Sequence, residues 1–234
     1  MQEETKKWYK RWWAIVLFIF FTFFLIFAIA FGFWVSDLYK SIKADQISGP
    51  VLARELKKQE KFENIAGWGN HWAGAENPKL TIVVFIDFNC PLCANSYKKV
   101  REISLKHEKN VKIIIRDFPL RENSIMLAMA GRCAGEQDLF WSMHDKLLQH
   151  QGKYDPSSSF HIMEFANQTG ANLSKFNECM VANKYLELIR RDVLVGEAAE
   201  IAGTPTWFFN GYKVEGDIPY DILMNLIDAL LIEN

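Results

Sequence analysis

An α/β domain with a helical insert, carried on one N-terminal membrane helix, is the fold class predicted for this chain, and three observations predict it. A charge-free apolar run extends from Trp12 to Val35. A strand-like run from Lys79 to Phe88 leads directly into Cys90-Pro91-Leu92-Cys93. Between about Arg121 and Ala202 the apolar spacing turns helical, before a hairpin signature and a last amphipathic segment. The 234 residues leave room for one anchored domain of ordinary size, and a formal net charge of -1 gives no electrostatic reason to expect nucleic acid.

The first element is the membrane helix, residues 12–35. At a rise of about 1.5 Å per residue it is long enough to cross a hydrocarbon core of roughly 30 Å. Trp12, Trp13 and Trp34 suit the two interfaces, where an indole buries its ring and keeps its N–H wet. Lys6, Lys7, Lys10 and Arg11 precede the span, so the positive-inside rule places residues 1–11 in the cytosol and the remainder outside. The rival reading is a cleaved signal peptide. The apolar run exceeds an ordinary signal h-region, and the bulky Phe31, Phe33 and Trp34 spoil a small-residue cleavage site, which favours the anchor.

Residues 36–78 read as a stalk. Gly49-Pro50 breaks any helix continuing from the membrane, and Val51 to Phe62 reads as a second helical piece with Val51, Leu52 and Leu56 on one side. Gly67, Gly69, Gly74 and Pro78 mark a loop leading into a domain at residues 79–234. Lys79 to Phe88 is β-branched and aromatic with little alternation, as in a strand covered on both faces. Pro91 suits the first turn of the helix that follows, because its missing N–H has no partner to lose there. That helix runs to about Lys106, and Val111 to Arg116 is a second buried strand.

Helical periods then fill an insert at about 121–202. Ile125, Met126, Met129 and Ala130 share one side of a helix, and Leu139, Phe140, Met143 and Leu147 share one side of the next. Further helical pieces surround Phe160 to Asn167, Leu173 to Met180 and Tyr185 to Ala202. Thr206 to Phe209, the turn Asn210-Gly211 and Tyr212 to Val214 form a hairpin signature. Ile218 to Ile232 closes the chain as an amphipathic helix.

The Cys-x-x-Cys at the mouth of a strand reads as a redox dithiol. A thiol reacts as its thiolate, and the open N–H groups of a helix N-terminus favour that charge. Cys90 is therefore the nucleophile, or the sulfur attacked in the oxidised form, and Cys93, one helical turn on, resolves the mixed disulfide. The competing reading is half a zinc knuckle. It lacks a second Cys-x-x-Cys, and the five histidines show no paired ligand spacing, so neither metal nor cofactor is expected. Cys133 and Cys179 both fall in the insert. Outside the cytosol an even cysteine count favours a structural disulfide between them, against the alternative of two buried apolar thiols.

In Asp87-Phe88-Asn89-Cys90-Pro91-Leu92-Cys93, in Cys133-Ala134-Gly135-Glu136-Gln137 leading to Phe140-Trp141, and in Gly203-Thr204-Pro205-Thr206, the chain resembles the DsbA-like thioredoxin-fold disulfide oxidoreductases, including their membrane-tethered bacterial members. The resemblance covers roughly Leu80 to Leu231 and rests on the combination of motifs. It implies a thioredoxin core carrying a helical insert. It also implies a cis Pro205 beside the dithiol, with the backbone at Thr204 pairing with an extended client segment. Pro91 and Leu92 support the site.

Two departures bear on redox poise. The family often carries an acid six positions before the first cysteine, where this chain has Val84. Asp87 is the nearer acid, and an acid–base role for it is an expectation. Relatives with histidine between the cysteines can hydrogen-bond the nucleophilic sulfur from it, whereas the Leu92 side chain cannot, so a weaker oxidant is expected. The function implied is transfer of disulfides to cysteine-containing exported polypeptides, with a membrane redox partner re-oxidising the dithiol. A reductase or isomerase kept reduced by a donor, and a non-catalytic chaperone, are the alternatives.

Overall fold

The computed structural model describes residues 12–45, 49–121 and 123–232. The basic cluster Lys6, Lys7, Lys10 and Arg11, on which the expected orientation rests, lies outside the described residues. The chain forms two compact units that divide after Ser48. In the first, α1 spans Trp12–Asp45, and its stretch Ile15–Asp37 has a mean hydropathy of 2.9 over residues that the protein does not bury. This is a helix long and apolar enough to cross a membrane.

The second unit opens with α2 (Gly49–Leu56), followed by β1 (Trp72–Gly74), β2 (Leu80–Ile86), α3 (Pro91–Lys106) and β3 (Val111–Asp117). Five helices come next: α4 (Ser124–Gly135), α5 (Phe140–Gln149), α6 (Ser159–Gln168), α7 (Leu173–Val181) and α8 (Leu186–Ala198). The hairpin β4 (Thr206–Phe209) and β5 (Tyr212–Glu215) and the helix α9 (Tyr220–Ile232) complete it. The sheet order is β1-β3-β2-β4-β5. β2 and β3 are parallel, which requires a crossover, and α3 supplies it. The other three pairings are antiparallel. This is the α/β domain with a helical insert expected from the sequence pattern, and the thioredoxin fold that the resemblance implies.

The central strand shows why its sequence lacks alternation. Leu80, Ile82, Val84 and Ile86 enter the large core shared with α2, α3, α9 and the insert. Val83 and Phe85 enter a second core with Ile114, Phe118, Ala199, Ile201 and Phe208. Both faces are covered, so both parities are apolar. At the hairpin tip, Asn210 and Gly211 have φ of 48° and 94°, the pair of positive values that a two-residue turn matched to strand twist requires.

Two elements lie inside the stretch read as a stalk. The helical piece expected there is α2, and it packs on α9. Ala53 and Leu56 are fully buried in the large core, and a Cβ on Gly49 would stand 2.1 Å from the Asn225 carbonyl oxygen. β1 was not anticipated. It pairs with β3 through only three residues, and no period can be read from Trp-Ala-Gly.

A buried ionic network ties the sheet to the insert. Arg116 donates to Asp192 Oδ1 through Nε and a terminal nitrogen at 3.0 and 2.7 Å. Arg132 bridges Asp192 Oδ2 and Asp117 Oδ2, each at 2.5 Å. The same two arginines donate to the carbonyls of Ile65 and Gly69, and so hold the segment before β1 against β3 and α4.

Candidate active site

The site is assembled where β2 ends. Asp87 to Asn89 make a tight turn in which the Cys90 N–H donates to the Asp87 carbonyl at 3.0 Å. Cys90 then sits at the N-cap of α3 with extended backbone (φ -97°, ψ 121°), and Pro91 takes the first helical position. The cap has no side-chain oxygen, so the free N–H groups of the first turn face the sulfur. Cys93, one turn on, points inward. Both are free thiols, with Cys90 6% and Cys93 1% exposed, while the Leu92 side chain stands 46% exposed beside them.

Strand register delivers the other wall. β4 runs antiparallel to β2 with Thr206 opposite Phe85, so the residues just before β4 lie beside the residues just after β2. The Thr204–Pro205 bond is cis. The Cys90 sulfur lies 3.1 Å from the Thr204 carbonyl oxygen, to which it donates when protonated. Cys90 and Cys93 therefore meet Thr204 and Pro205, over a hundred residues later in sequence, at one edge of the sheet.

The two thiols have opposite environments. The Cys90 pKa is lowered to about 5, chiefly because the Cys93 thiol donates to its sulfur. Burial opposes this, and the Thr204 hydroxyl and the backbone N–H groups of Cys93 and Leu92 add to it. Burial pushes the Cys93 thiol far above the ordinary thiol range, and its donation to Cys90 raises it further. One sulfur is a thiolate at neutral pH and the other is held protonated, as sequential thiol exchange requires.

Asp87 is 1% exposed, and its carboxylate is occupied by backbone. Oδ1 accepts the Asn89 N–H at 2.7 Å, and Oδ2 accepts those of Leu120 and Arg121 at 2.9 and 3.1 Å. Val84 lies fully buried in the large core. Cys133 and Cys179 form a disulfide that joins α4 to α7, with their Cα atoms 5.8 Å apart.

Sequence reasoning missed the Thr204 side chain as a group that favours thiolate charge at the dithiol, and it missed Gln151, whose side-chain amide donates to the Phe88 carbonyl at 2.9 Å. A polar residue before the proline could have signalled the first. Gln151 lies 63 positions from its partner and carries no local signal.

The family model described as Thioredoxin matches residues 68–229. Over 156 residues the chain is 32% identical to the Na(+)/H(+) antiporter NhaA 3 of Salinispora tropica, an alignment that covers 65% of this chain and 23% of the antiporter. The chain spans about a quarter of the length of the curated antiporters it matches. Among solved structures, the thiol-disulfide exchange protein alpha-DsbA2 of Wolbachia pipientis is similar with a TM-score of 0.65 and 20% identity, covering 77% of this chain and 97% of that one. Oxidised BdbD of Bacillus subtilis is similar with a TM-score of 0.62 and 20% identity, covering 70% and 94%. At these identities the structural likenesses establish the fold.

Proposed function

The chain belongs to the thioredoxin family, and from that premise we propose that it is a membrane-tethered thiol-disulfide oxidoreductase that passes a disulfide to cysteines of exported polypeptides. The observation that carries this reading is the asymmetric dithiol: Cys90 lowered to about 5 at a helix N-terminus, with a protonated Cys93 behind it. The names of the similar structures, a thiol-disulfide exchange protein among them, support the same chemistry.

The steps follow from the two environments. In the oxidised form a client thiolate attacks the Cys90 sulfur, the Cys90–Cys93 bond breaks, and Cys93 leaves and takes up a proton. The client's second thiolate then attacks its own sulfur in the mixed disulfide, and Cys90 leaves as a thiolate. The client loses two electrons and gains a disulfide, and the protein gains the two electrons. A low-pKa thiol leaves fast, so the same donors that hold the Cys90 thiolate speed its release. The two electrons pass on to a membrane redox partner, which restores the disulfide.

An extended client segment adds along the backbone at Thr204, and Pro205, Pro91 and Leu92 line its approach. The apolar helix α1 supports tethering, with residues 12–35 in the membrane and the dithiol domain outside the cytosol. The disulfide between Cys133 and Cys179 suits an oxidising compartment. The stabilised Cys90 thiolate favours the reduced state of the protein, which supports the donor direction over a reductase or isomerase kept reduced by a donor.

The test uses the full chain in detergent micelles. The oxidised protein should convert a reduced two-cysteine peptide to its disulfide, and Cys90→Ser should abolish turnover. Absence of peptide oxidation together with insulin reduction would reverse the direction. Suppression of client aggregation that survives Cys90→Ser, with no turnover in the wild type, would replace the enzyme with a non-catalytic chaperone. Alkylation in cells should find Cys90 and Cys93 mostly oxidised.

A further inference from the structure

The turn that delivers Cys90 is held from outside its own strand and helix. Asp87 Oδ1 closes the turn on the Asn89 N–H, while Oδ2 takes the N–H groups of Leu120 and Arg121 in the connection from β3 to α4. The next residue, Phe88, is gripped by the insert. Its carbonyl accepts the Gln151 amide at 2.9 Å, its ring meets His144 edge-on at 5.7 Å between centroids, and it lies against Gly131, where an added Cβ would come within 3.4 Å of the ring. Charge-assisted bonds from a buried carboxylate are short and directional, and this one spends both oxygens on backbone donors.

We propose that Asp87 and Gln151 are positioning residues for the dithiol: together they staple the 87–89 turn to the connection before α4 and to the end of α5, and so fix the N-cap geometry at Cys90. The proposal rests on the dithiol reading above. It assigns the insert a role in aiming the nucleophile. It also gives Asp87 a role other than acid–base: its carboxylate is committed to three backbone N–H donors. Two further polar groups face the turn. The Tyr154 hydroxyl is buried without a hydrogen-bond partner among the described residues and feels the Asp87 charge, and Cys93 hydrogen-bonds to the Asp87 backbone.

The experiment compares wild type, Asp87→Asn, Asp87→Glu and Gln151→Ala as full chains in detergent, with three readouts: the pH titration of the Cys90 thiolate by its absorbance, the rate of peptide oxidation, and the thermal midpoint. An amide at position 87 turns an N–H toward N–H donors and opens the staple, whereas Glu retains two acceptor oxygens. The expected result is a Cys90 titration displaced upward in Asp87→Asn and Gln151→Ala and partly restored in Asp87→Glu, with turnover reduced about tenfold or more, since small misplacements at a reacting centre cost that much.

An unmoved Cys90 titration with accumulation of the mixed disulfide in Asp87→Asn would make Asp87 a base for Cys93 and overturn the proposal. A lowered thermal midpoint with titration and turnover per folded molecule unchanged would overturn it as well. Should Asp87→Asn fail to fold, Gln151→Ala decides alone, and an unmoved titration there refutes the staple. Because the titration needs no client, it tests the staple even if the wild type proves inactive, and inactivity would fall on the oxidoreductase reading instead.

Discussion

At the scale of single residues, the reactivity of Cys90 is set first by the Cys93 thiol and then by the Thr204 hydroxyl and two backbone N–H groups. Alkylation of Cys90 in the reduced protein should therefore hold its plateau from neutral pH down to about 6 and fall by half near 5. Cys93→Ala removes the leading donor and should move that midpoint upward. The sign for stability follows. The folded pKa lies below the unfolded one, so the thiolate stabilises the reduced form above the unfolded thiol value, and that contribution is lost as pH falls through about 5. Above that midpoint, with Cys93 still protonated, reduction takes up one proton for two electrons. The potential should fall by about 30 mV per pH unit above the Cys90 midpoint, and about 59 mV below it. A uniform slope of 59 mV through neutral pH would contradict a thiolate at Cys90. Leu92 lends only its backbone N–H to the sulfur, so Leu92→His, which adds a side-chain donor, should raise the potential by at least about 30 mV in glutathione buffers.

At the scale of elements, the insert is held by two features that differ in how legible they were. Cys133 and Cys179 could be considered as a pair from the even cysteine count and the compartment, and the bridge closes 46 positions of chain. The loop-entropy model puts its contribution at about 4 kcal/mol, so the double alanine variant should lose stability of that order in urea while the dithiol keeps its titration. The network of Arg116, Asp117, Arg132 and Asp192 was not legible. Its members read as ordinary helix and strand charges, and Asp192 lies 76 positions from Arg116 and 60 from Arg132. Asp192→Ala would leave both arginines buried without their shared partner, and the expected cost is about 3–5 kcal/mol, read from the shift in urea midpoint. The same division runs through the site. Cys90-Pro91-Leu92-Cys93 is local, and its chemistry follows from spacing. Asp87 could be seen only as an acid near the dithiol, because two of its three donors lie 33 and 34 residues away.

At the scale of the whole molecule, the dithiol unit begins well before the strand that introduces the dithiol. Residues 49–78 have too many charges and glycines for a core to be read from their periodicity, yet they cover both faces of the sheet. Ala53 and Leu56 enter the large core beside α9, while Phe62, Ile65 and Ala66 lie on the smaller one. The carbonyls of Ile65 and Gly69 and the side chain of Asn70 accept from the buried Arg116 and Arg132, and β1 pairs with one edge of β3. A chain starting at Gly49 keeps all of this and should match the thermal midpoint of the full-length dithiol domain. A chain starting at Lys79 exposes Phe208 and the apolar side of α9 that α2 covers, and leaves the arginines short of acceptors. Each large apolar side chain removed from burial forfeits about 1.5–3 kcal/mol, and a domain of this size holds only about 5–15 kcal/mol in all. The shorter chain should therefore be largely unfolded or aggregated at 37 °C, with no cooperative melt by circular dichroism. A melt within a few degrees of the longer chain would show that residues 49–78 are a passive stalk, and that the apolar helix α1 is joined to the dithiol domain by a tether rather than by part of its core.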